Sequence, residues 1–279
     1  LDEETKGQAA LAVFARIVEV KPSGEEVPRP DLTAQIRVYS SDDSLIVKDG
    51  GMNNGYKCAM ASVYDMEDQP PEGKVSFFFE GEGGTFTMGA TSEQDNPYDN
   101  ESPAHEVTLS GFCIGETEVT QALWRAVMGG NPSEFKGDSN PVESVSWDDC
   151  QTFIRKLNAA TEGQRPEGRS FRLPTEAEWE CAARGGNKSR HTQYAGSNNL
   201  SSVAWYDDNS GGKPHSVAKK SPNELGLYDM SGNVWEWCQD WYDENYYSRS
   251  PSNNPSNNNN GSYRVIRGGG WYCDAWGCR

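Results

Sequence analysis

Residues 223–237 of this 279-residue chain read NELGLYDMSGNVWEW, and this stretch decides the fold. A turn that contains Gly232 and Asn233 leads into an alternating segment. Successive side chains of a strand point to opposite sides, so Trp235 and Trp237 share one face. Two indoles on one face supply much of a hydrophobic core. The stretch therefore predicts a core strand that is entered through a turn.

Six further phrases stand in a fixed order around this strand, and three of them predict helices. Residues 116–120 (ETEVT) lead into apolar positions at helical spacing, which end at Asn131-Pro132. In the phrase at 140–147 (NPVESVSW), Ser146 caps a helix predicted over 147–160. In the phrase at 171–180 (FRLPTEAEWE), Thr175 and Glu178 form a capping box, in which each side chain binds an amide of the first turn. The other phrases are GTFTMG at 84–89, PAHEV at 103–107 and RGG at 267–269.

Together these phrases resemble the formylglycine-generating, sulfatase-modifying family over residues 84–279. The resemblance implies an α+β protein with a large, loop-rich version of the C-type lectin fold. We therefore expect residues 83–279 to form this domain. Family members usually carry a further strand after the Cys-Arg pair found here at 278–279. We expect that strand either to be missing from this sequence or to be disordered. Fold and activity are separable, so the function has to be argued from the site.

The part of the chain before residue 83 has a different character. It contains no Trp, whereas all nine Trp residues lie in the later part. Short runs at 10–20, 32–39, 56–64 and 74–79 alternate with Gly- and Pro-containing turns, which predicts strands. We expect residues 1–82 to form a small β-rich domain or extension, joined to the rest through the glycine-rich residues 80–84.

The charge of the chain excludes two classes of partner. There are 25 basic and 42 acidic residues, for a net charge of −17, so a nucleic-acid backbone or an anionic membrane would be repelled. The mean hydropathy is −0.80, and no apolar run approaches the ~20 residues of a membrane helix. We expect the partner to be a protein or another surface ligand, with no transmembrane segment in this chain. Together with the resemblance, this favours a bacterial cell-surface or extracellular protein, lipid-anchored through a removed leader.

The resemblance also implies a calcium site in the turn before the Trp-Glu-Trp strand. Residue by residue, the match falls on Asp229, Gly232, Val234 and Glu236. Calcium takes six to eight oxygen ligands, and a turn that offers backbone carbonyls and two carboxylates suits it. In the competing interpretation, Asp229 and Glu236 only cap the turn or pair locally.

Two cysteines near residue 279 suggest a catalytic function. The resembling enzymes bind copper(I) through two cysteines spaced C-x-x-x-x-C, and Cys273 and Cys278 have that spacing. Those enzymes have Ser in place of Gly270 and His in place of Asp274. A carboxylate beside a thiol raises the thiol pKa and lowers its reactivity. The alternative function is therefore a copper-dependent oxidase that converts a substrate cysteine to formylglycine.

The same segment is also similar to the ligand-display proteins that retroelements diversify by rewriting Asn codons. Their unmutated pattern is WNNNAxxCR, and this chain reads WYCDAWGCR at 271–279. Tyr272, Cys273 and Asp274 are each reachable from the Asn codon AAC by changing adenines only, through TAC, TGC and GAC. On this interpretation, which we favour, the protein binds ligands without catalysis. Rigid aromatic and small polar side chains suit such a surface. In the alternative interpretation, these aromatic residues are simply part of the hydrophobic core. The predicted binding residues are Tyr272, Cys273, Asp274, Trp276 and Gly277.

Overall fold

The computed structural model describes residues 83–95, 97–162 and 170–279, together with six short strands before residue 82. These strands are β1 (Ala9–Ala10), β2 (Phe14–Ala15), β3 (Leu45–Asp49), β4 (Ala59–Val63), β5 (Lys74–Phe77) and β6 (Phe79–Gly81). The later strands are β7 (Gly84–Met88), β8 (His105–Leu109), β9 (Phe112–Ile114), β10 (Phe171–Arg172), β11 (Trp235–Trp241) and β12 (Arg264–Arg267).

Small sheets characterise the described part of the chain. The strand orders are β1-β11-β12, β10-β2-β9-β6, β3-β4-β5 and β7-β8. β11 runs parallel to β1 and antiparallel to β12, with Trp237 opposite Ile266. This mixture of small sheets and short helices confirms the predicted loop-rich α+β class.

Three helices begin at the predicted caps. They are α1 (Gln121–Met128), α2 (Trp147–Ala160) and α3 (Glu176–Ala183). Thr120, Ser146 and Thr175 each accept an amide hydrogen bond from the third residue of the helix that follows. α1 ends at Met128, earlier than the Asn131-Pro132 stop, because Gly129 takes the left-handed conformation that closes a helix. Two one-turn helices follow, α4 (Leu200–Val203) and α5 (Asp207–Ser210).

The core confirms the predicted role of the Trp-Glu-Trp strand. Trp237 is 7% exposed, and both Trp235 and Trp237 pack against the apolar cluster formed by α1 and α2. Trp124 of α1 and Phe153 of α2 stack at 4.9 Å within that cluster. The intervening Glu236 points to the opposite side, where its Oε2 accepts a hydrogen bond from Trp179 Nε1 at 3.0 Å. The strand therefore joins an apolar face to a buried polar one.

The division of the chain at residue 82 stays a prediction. Strands lie within the predicted runs at 10–20, 56–64 and 74–79, whereas the run at 32–39 falls outside the described residues. β1 pairs with β11, and β2 and β6 both pair with β9. Short strands before residue 82 thus add to sheets of the later part. Among the described residues, no helix has the length and apolar character required to cross a bilayer.

Candidate functional site

The segment after β12 folds back onto the turn that precedes β11. Gly232 N donates to Gly268 O at 2.7 Å, and Trp271 N donates to Asn233 O at 2.7 Å. At Gly269 the backbone has φ +77°, and an added Cβ would lie 2.3 Å from the carbonyl oxygen of Gly277. Only glycine permits so close an approach. The final residues are therefore held against the scaffold by backbone geometry.

A single 3₁₀ turn, Ala275–Cys278, carries Trp276 and Gly277 of the predicted binding surface. Asp274 caps it, because its Oδ1 accepts hydrogen bonds from the amides of Trp276 and Gly277, each at 3.1 Å. Trp276 is 49% exposed, whereas Cys278, two residues later, is fully buried. The turn thus separates an outward indole from an inward thiol.

The five predicted binding residues lie together, but they are not equally accessible. Asp274 and Trp276 are exposed, while Tyr272, Cys273 and Gly277 are half-buried. The rings of Trp271 and Tyr272 contact each other edge to face at 5.2 Å. Part of the predicted surface therefore also supports the scaffold, and its role in ligand binding stays a prediction.

The two thiols of the alternative function are close together and are not joined by a disulfide. Cys273 packs against a small buried cluster that contains Cys278 and Leu200. Burial raises the pKa of Cys273, and the Asp274 carboxylate adds to that rise. Burial raises the pKa of Cys278 further, with smaller contributions from Cys273 and Asp274. Both groups are therefore neutral thiols near pH 7, and copper(I) would have to displace their protons to bind them as thiolates.

A small pocket of about 30 Å³ lies beside this turn. Arg279 and Tyr194 belong to its lining, and Tyr194 also packs against the cluster around Cys278. Two further arginines of the lining are engaged by carboxylates, since Arg184 and Arg267 both bind Glu180. The exposed lining of the pocket is therefore mainly apolar, and the charges of Arg184 and Arg267 are paired.

The predicted calcium residues lie at the start of β11. Asp229 and Glu236 are each 2% exposed, and Glu118, from the loop before α1, is buried to the same degree. Asp229 Oδ2 accepts from Ala218 N at 2.7 Å, while its Oδ1 has no hydrogen-bond partner among the described residues. Glu118 binds the turn through Asn233 Nδ2 at 2.8 Å and Val234 N at 3.2 Å.

Burial sets the charge state of these three carboxyl groups. It raises the pKa of Asp229 to about 6 and that of Glu236 to about 8, and the Asp229 charge adds to the rise at Glu236. Burial, with Asp229 and Glu236, also raises the pKa of Glu118. A cation would remove this penalty. Within the described residues, no three His, Cys, Asp or Glu side chains converge to hold a metal alone. The carbonyl oxygens of Gly232 and Val234 would therefore have to complete a calcium site, and this donor set fits a hard cation.

Sequence reasoning missed several buried charged residues near the site. Glu118 lies in a quoted phrase, but its contact with Asn233 spans 115 positions, and no local pattern reports such a contact. The same holds for Arg267, which binds Glu176 at 3.1 Å and Glu180 at 2.9 Å. Asp274 is a predicted binding residue, and the structure shows that it also caps the turn that carries Trp276.

Comparison with known proteins agrees with this architecture. The family model of the sulfatase-modifying factor enzyme 1-like domain matches residues 66–279. A protein named chaperone protein LppX, from Paenibacillus barcinonensis, is 38% identical over 234 residues, covering 68% of this chain and 76% of the relative. The formylglycine-generating enzyme of Streptomyces coelicolor is 33% identical over 256 residues, covering 68% of this chain and 77% of the enzyme.

A solved structure gives the same result at the level of the fold. The variable protein 1 of Treponema denticola superposes with a TM-score of 0.62 at 35% sequence identity, covering 77% of this chain and 91% of that protein. The motifs, the fold and these similarities lead to one conclusion. The chain belongs to the family of sulfatase-modifying factor enzyme 1-like domains.

Proposed function

We propose that the protein binds ligands without catalysis, through a variable surface that a retroelement diversifies. The surface consists of Tyr272, Cys273, Asp274, Trp276 and Gly277. Its ligand is a protein or another molecule met at the bacterial surface or outside the cell. A lipid anchor, acquired when a leader sequence is removed, would hold the protein there.

One observation carries this proposal: the turn Ala275–Cys278 exposes Trp276 while it buries the thiol of Cys278. A half-exposed indole on a fixed turn is a low-entropy anchor for a partner. The cap also tolerates the expected variation, because Asn and Asp both accept amide hydrogen bonds at a cap position. Diversification between Asn and Asp at residue 274 would therefore leave the turn in place.

The similarities support the proposal without identifying the ligand. The relative named variable protein 1 and the relative named chaperone protein LppX carry names that describe no catalytic reaction. Formylglycine-generating enzymes are similar to the chain as well. The decision therefore rests on the residues around Cys273.

The DNA downstream of the coding sequence tests diversification directly. We expect a near-copy of the 3′ end with AAC codons at positions 272–274, next to a reverse-transcriptase gene. Genomic DNA that lacks both elements would contradict a retroelement origin.

The copper-dependent oxidase is the second candidate, and the proximity of Cys273 and Cys278 favours it. Its requirement is a pair of thiolates that bind copper(I). Titration with copper(I) in competition with a colorimetric chelator tests it, with Cys273→Ser as the control. High-affinity binding that Cys273→Ser abolishes would favour the oxidase. Weak binding that is equal in both proteins would favour ligand display.

A further inference from the structure

A second exposed aromatic surface consists of residues outside 272–277. Three tyrosines have an unusually open setting: Tyr98 is 51% exposed, Tyr242 42% and Tyr263 51%. With Trp276, they are the exposed large hydrophobic residues of the described part of the chain. Contiguous exposed aromatic groups mark interaction sites. We call Tyr98, Tyr242 and Tyr263, with the acidic residues Asp99 and Glu244, the tyrosine face.

Hydrogen bonds join the backbone segments that carry the three tyrosines of this face. Tyr242 N donates to Tyr263 O at 2.8 Å, which continues the register that pairs Trp241 with Arg264. Residues opposite each other in an antiparallel pair present side chains on the same face, so the two rings are neighbours. Asn100 Nδ2 donates to the Tyr242 hydroxyl at 3.1 Å. This bond fastens the turn that carries Tyr98 to the Tyr242–Tyr263 pair.

Aromatic rings on this face and behind it already accept cations from the chain itself. On the opposite side of the strand pair from Tyr242 and Tyr263, the Arg264 guanidinium lies between the rings of Trp147 and Trp241, at 3.7 and 3.6 Å from their centroids. Arg279 lies over the ring of Tyr98 at 5.2 Å. The geometry of this region therefore suits guanidinium groups stacked on π-faces.

The charge of the face suits the same chemistry. Asp99 and Glu244 are exposed beside Tyr98 and Tyr242, and the whole chain carries −17. The nearby cation Arg249 is engaged by Asp243. A cationic partner thus finds exposed carboxylates and tyrosine rings side by side, while an anionic partner would be repelled.

We infer that the tyrosine face binds an arginine- or lysine-rich segment of a partner protein. This goes beyond ligand display at the C-terminal turn and does not depend on it, because none of its residues lies at 272–277. The rings supply cation–π contacts and the carboxylates supply salt-sensitive attraction.

A labelled peptide of alternating arginine and alanine tests the inference by fluorescence anisotropy with the full chain. We expect saturable binding at 50 mM NaCl that weakens at 300 mM NaCl. The double variant Tyr242→Ala/Tyr263→Ala should weaken binding roughly tenfold. Tyr242→Phe/Tyr263→Phe keeps the rings but removes the hydroxyl that binds Asn100, so its affinity should be closer to that of the wild type than to that of the alanine variant. This comparison separates loss of the rings from loss of the hydroxyl groups.

Two controls separate specific binding from general attraction to an acidic protein. The tyrosine substitutions change no charge, whereas Asp207→Asn/Asp208→Asn removes two exposed carboxylates from α5 and should alter the affinity less than twofold. A peptide with glutamine in place of arginine should not bind. The inference would be overturned if no saturable binding were seen, or if the alanine and phenylalanine variants had equal affinity. It would also be overturned if the face bound a carbohydrate, with cellohexaose as the probe, in place of the peptide.

Discussion

Two tryptophans of the same chain show how position decides the role of a residue. Trp276 is 49% exposed, whereas Trp237 is 7% exposed and its Nε1 donates to Val145 O at 3.1 Å. We expect Trp276→Ala to change the free energy of unfolding by less than about 0.5 kcal/mol, and Trp237→Ala to lower it by about 3–5 kcal/mol. Urea unfolding of both variants measures this. Equal losses would show that Trp276 belongs to the core.

Glu176 gives the stability a pH dependence of its own. Its Oε1 binds Arg267 and accepts from the Tyr247 hydroxyl at 3.0 Å, yet burial raises its pKa from 4.5 to about 7. Arg267 only partly opposes this, because it also binds Glu180. Arg267 and Arg184 together hold the pKa of Glu180 below its usual value despite burial.

The sign of the effect follows from proton linkage. Between pH 4.5 and about 7 the unfolded chain has released the Glu176 proton while the folded protein retains it, so stability falls as the pH rises. We expect Glu176→Gln to remove that fall, gaining on the order of 3 kcal/mol relative to the wild type across the window. Urea unfolding from pH 4 to 8 measures it, with the exposed Glu244→Gln as the control. Parallel curves for Glu176→Gln and the wild type would contradict the assignment.

At the scale of elements, a close backbone approach holds the C-terminal turn. Gly226 and Gly269 both have positive φ, +81° and +77°, but only Gly269 faces a neighbour, since the Gly277 oxygen would lie 2.3 Å from an added Cβ. We expect Gly226→Ala to cost about 1 kcal/mol for its φ alone. Gly269→Ala should cost roughly 3 kcal/mol or more and alter the turn. Thermal unfolding compares the stability of the two variants. Similar losses of stability would mean that the close contact between Gly269 and the Gly277 oxygen adds nothing to the cost of the substitution.

The helices and the core strand could be predicted because their signals are local. Thr175 and Glu178 are three residues apart, and Trp235 and Trp237 are two apart, so each pattern lies within a few residues of sequence. The polar interior could not be predicted in the same way. Glu118 meets Asn233, and Trp179 meets Glu236, only after the chain has folded. The cap formed by Asp274 is local, but the 3₁₀ turn that it caps has only four residues. So short a turn has no apolar periodicity from which it could be predicted.

At the scale of the whole molecule, the predicted calcium site lies where the turn before β11 meets the C-terminal segment, since Gly232 N donates to Gly268 O. We propose that calcium binds Asp229 and Glu236 with the carbonyls of Gly232 and Val234. Calcium at 100 times its Kd should then raise the free energy of unfolding by about 2.7 kcal/mol, measured by thermal unfolding against a chelator-treated sample.

Matched variants give this calcium prediction its controls. Glu236→Gln should lose the calcium response. Without calcium, at a pH above the Glu236 pKa of about 8, it should equal or exceed the stability of the wild type, because it removes a carboxylate that is buried and charged there. Asp207→Asn, at an exposed position, should keep the response. An unchanged melting temperature of the wild type in millimolar calcium would exclude Asp229 and Glu236 as ligands.

The central claim is that residues 272–277 form a recognition surface on an inert frame. The most direct measurement is turnover of a cysteine-containing peptide in the presence of copper(I) and oxygen, with aldehyde captured by an aminooxy probe. The Streptomyces coelicolor formylglycine-generating enzyme serves as the positive control. We expect no aldehyde above the level of the Cys278→Ser variant. Aldehyde that accumulates with the wild type and disappears with Cys278→Ser would contradict the claim.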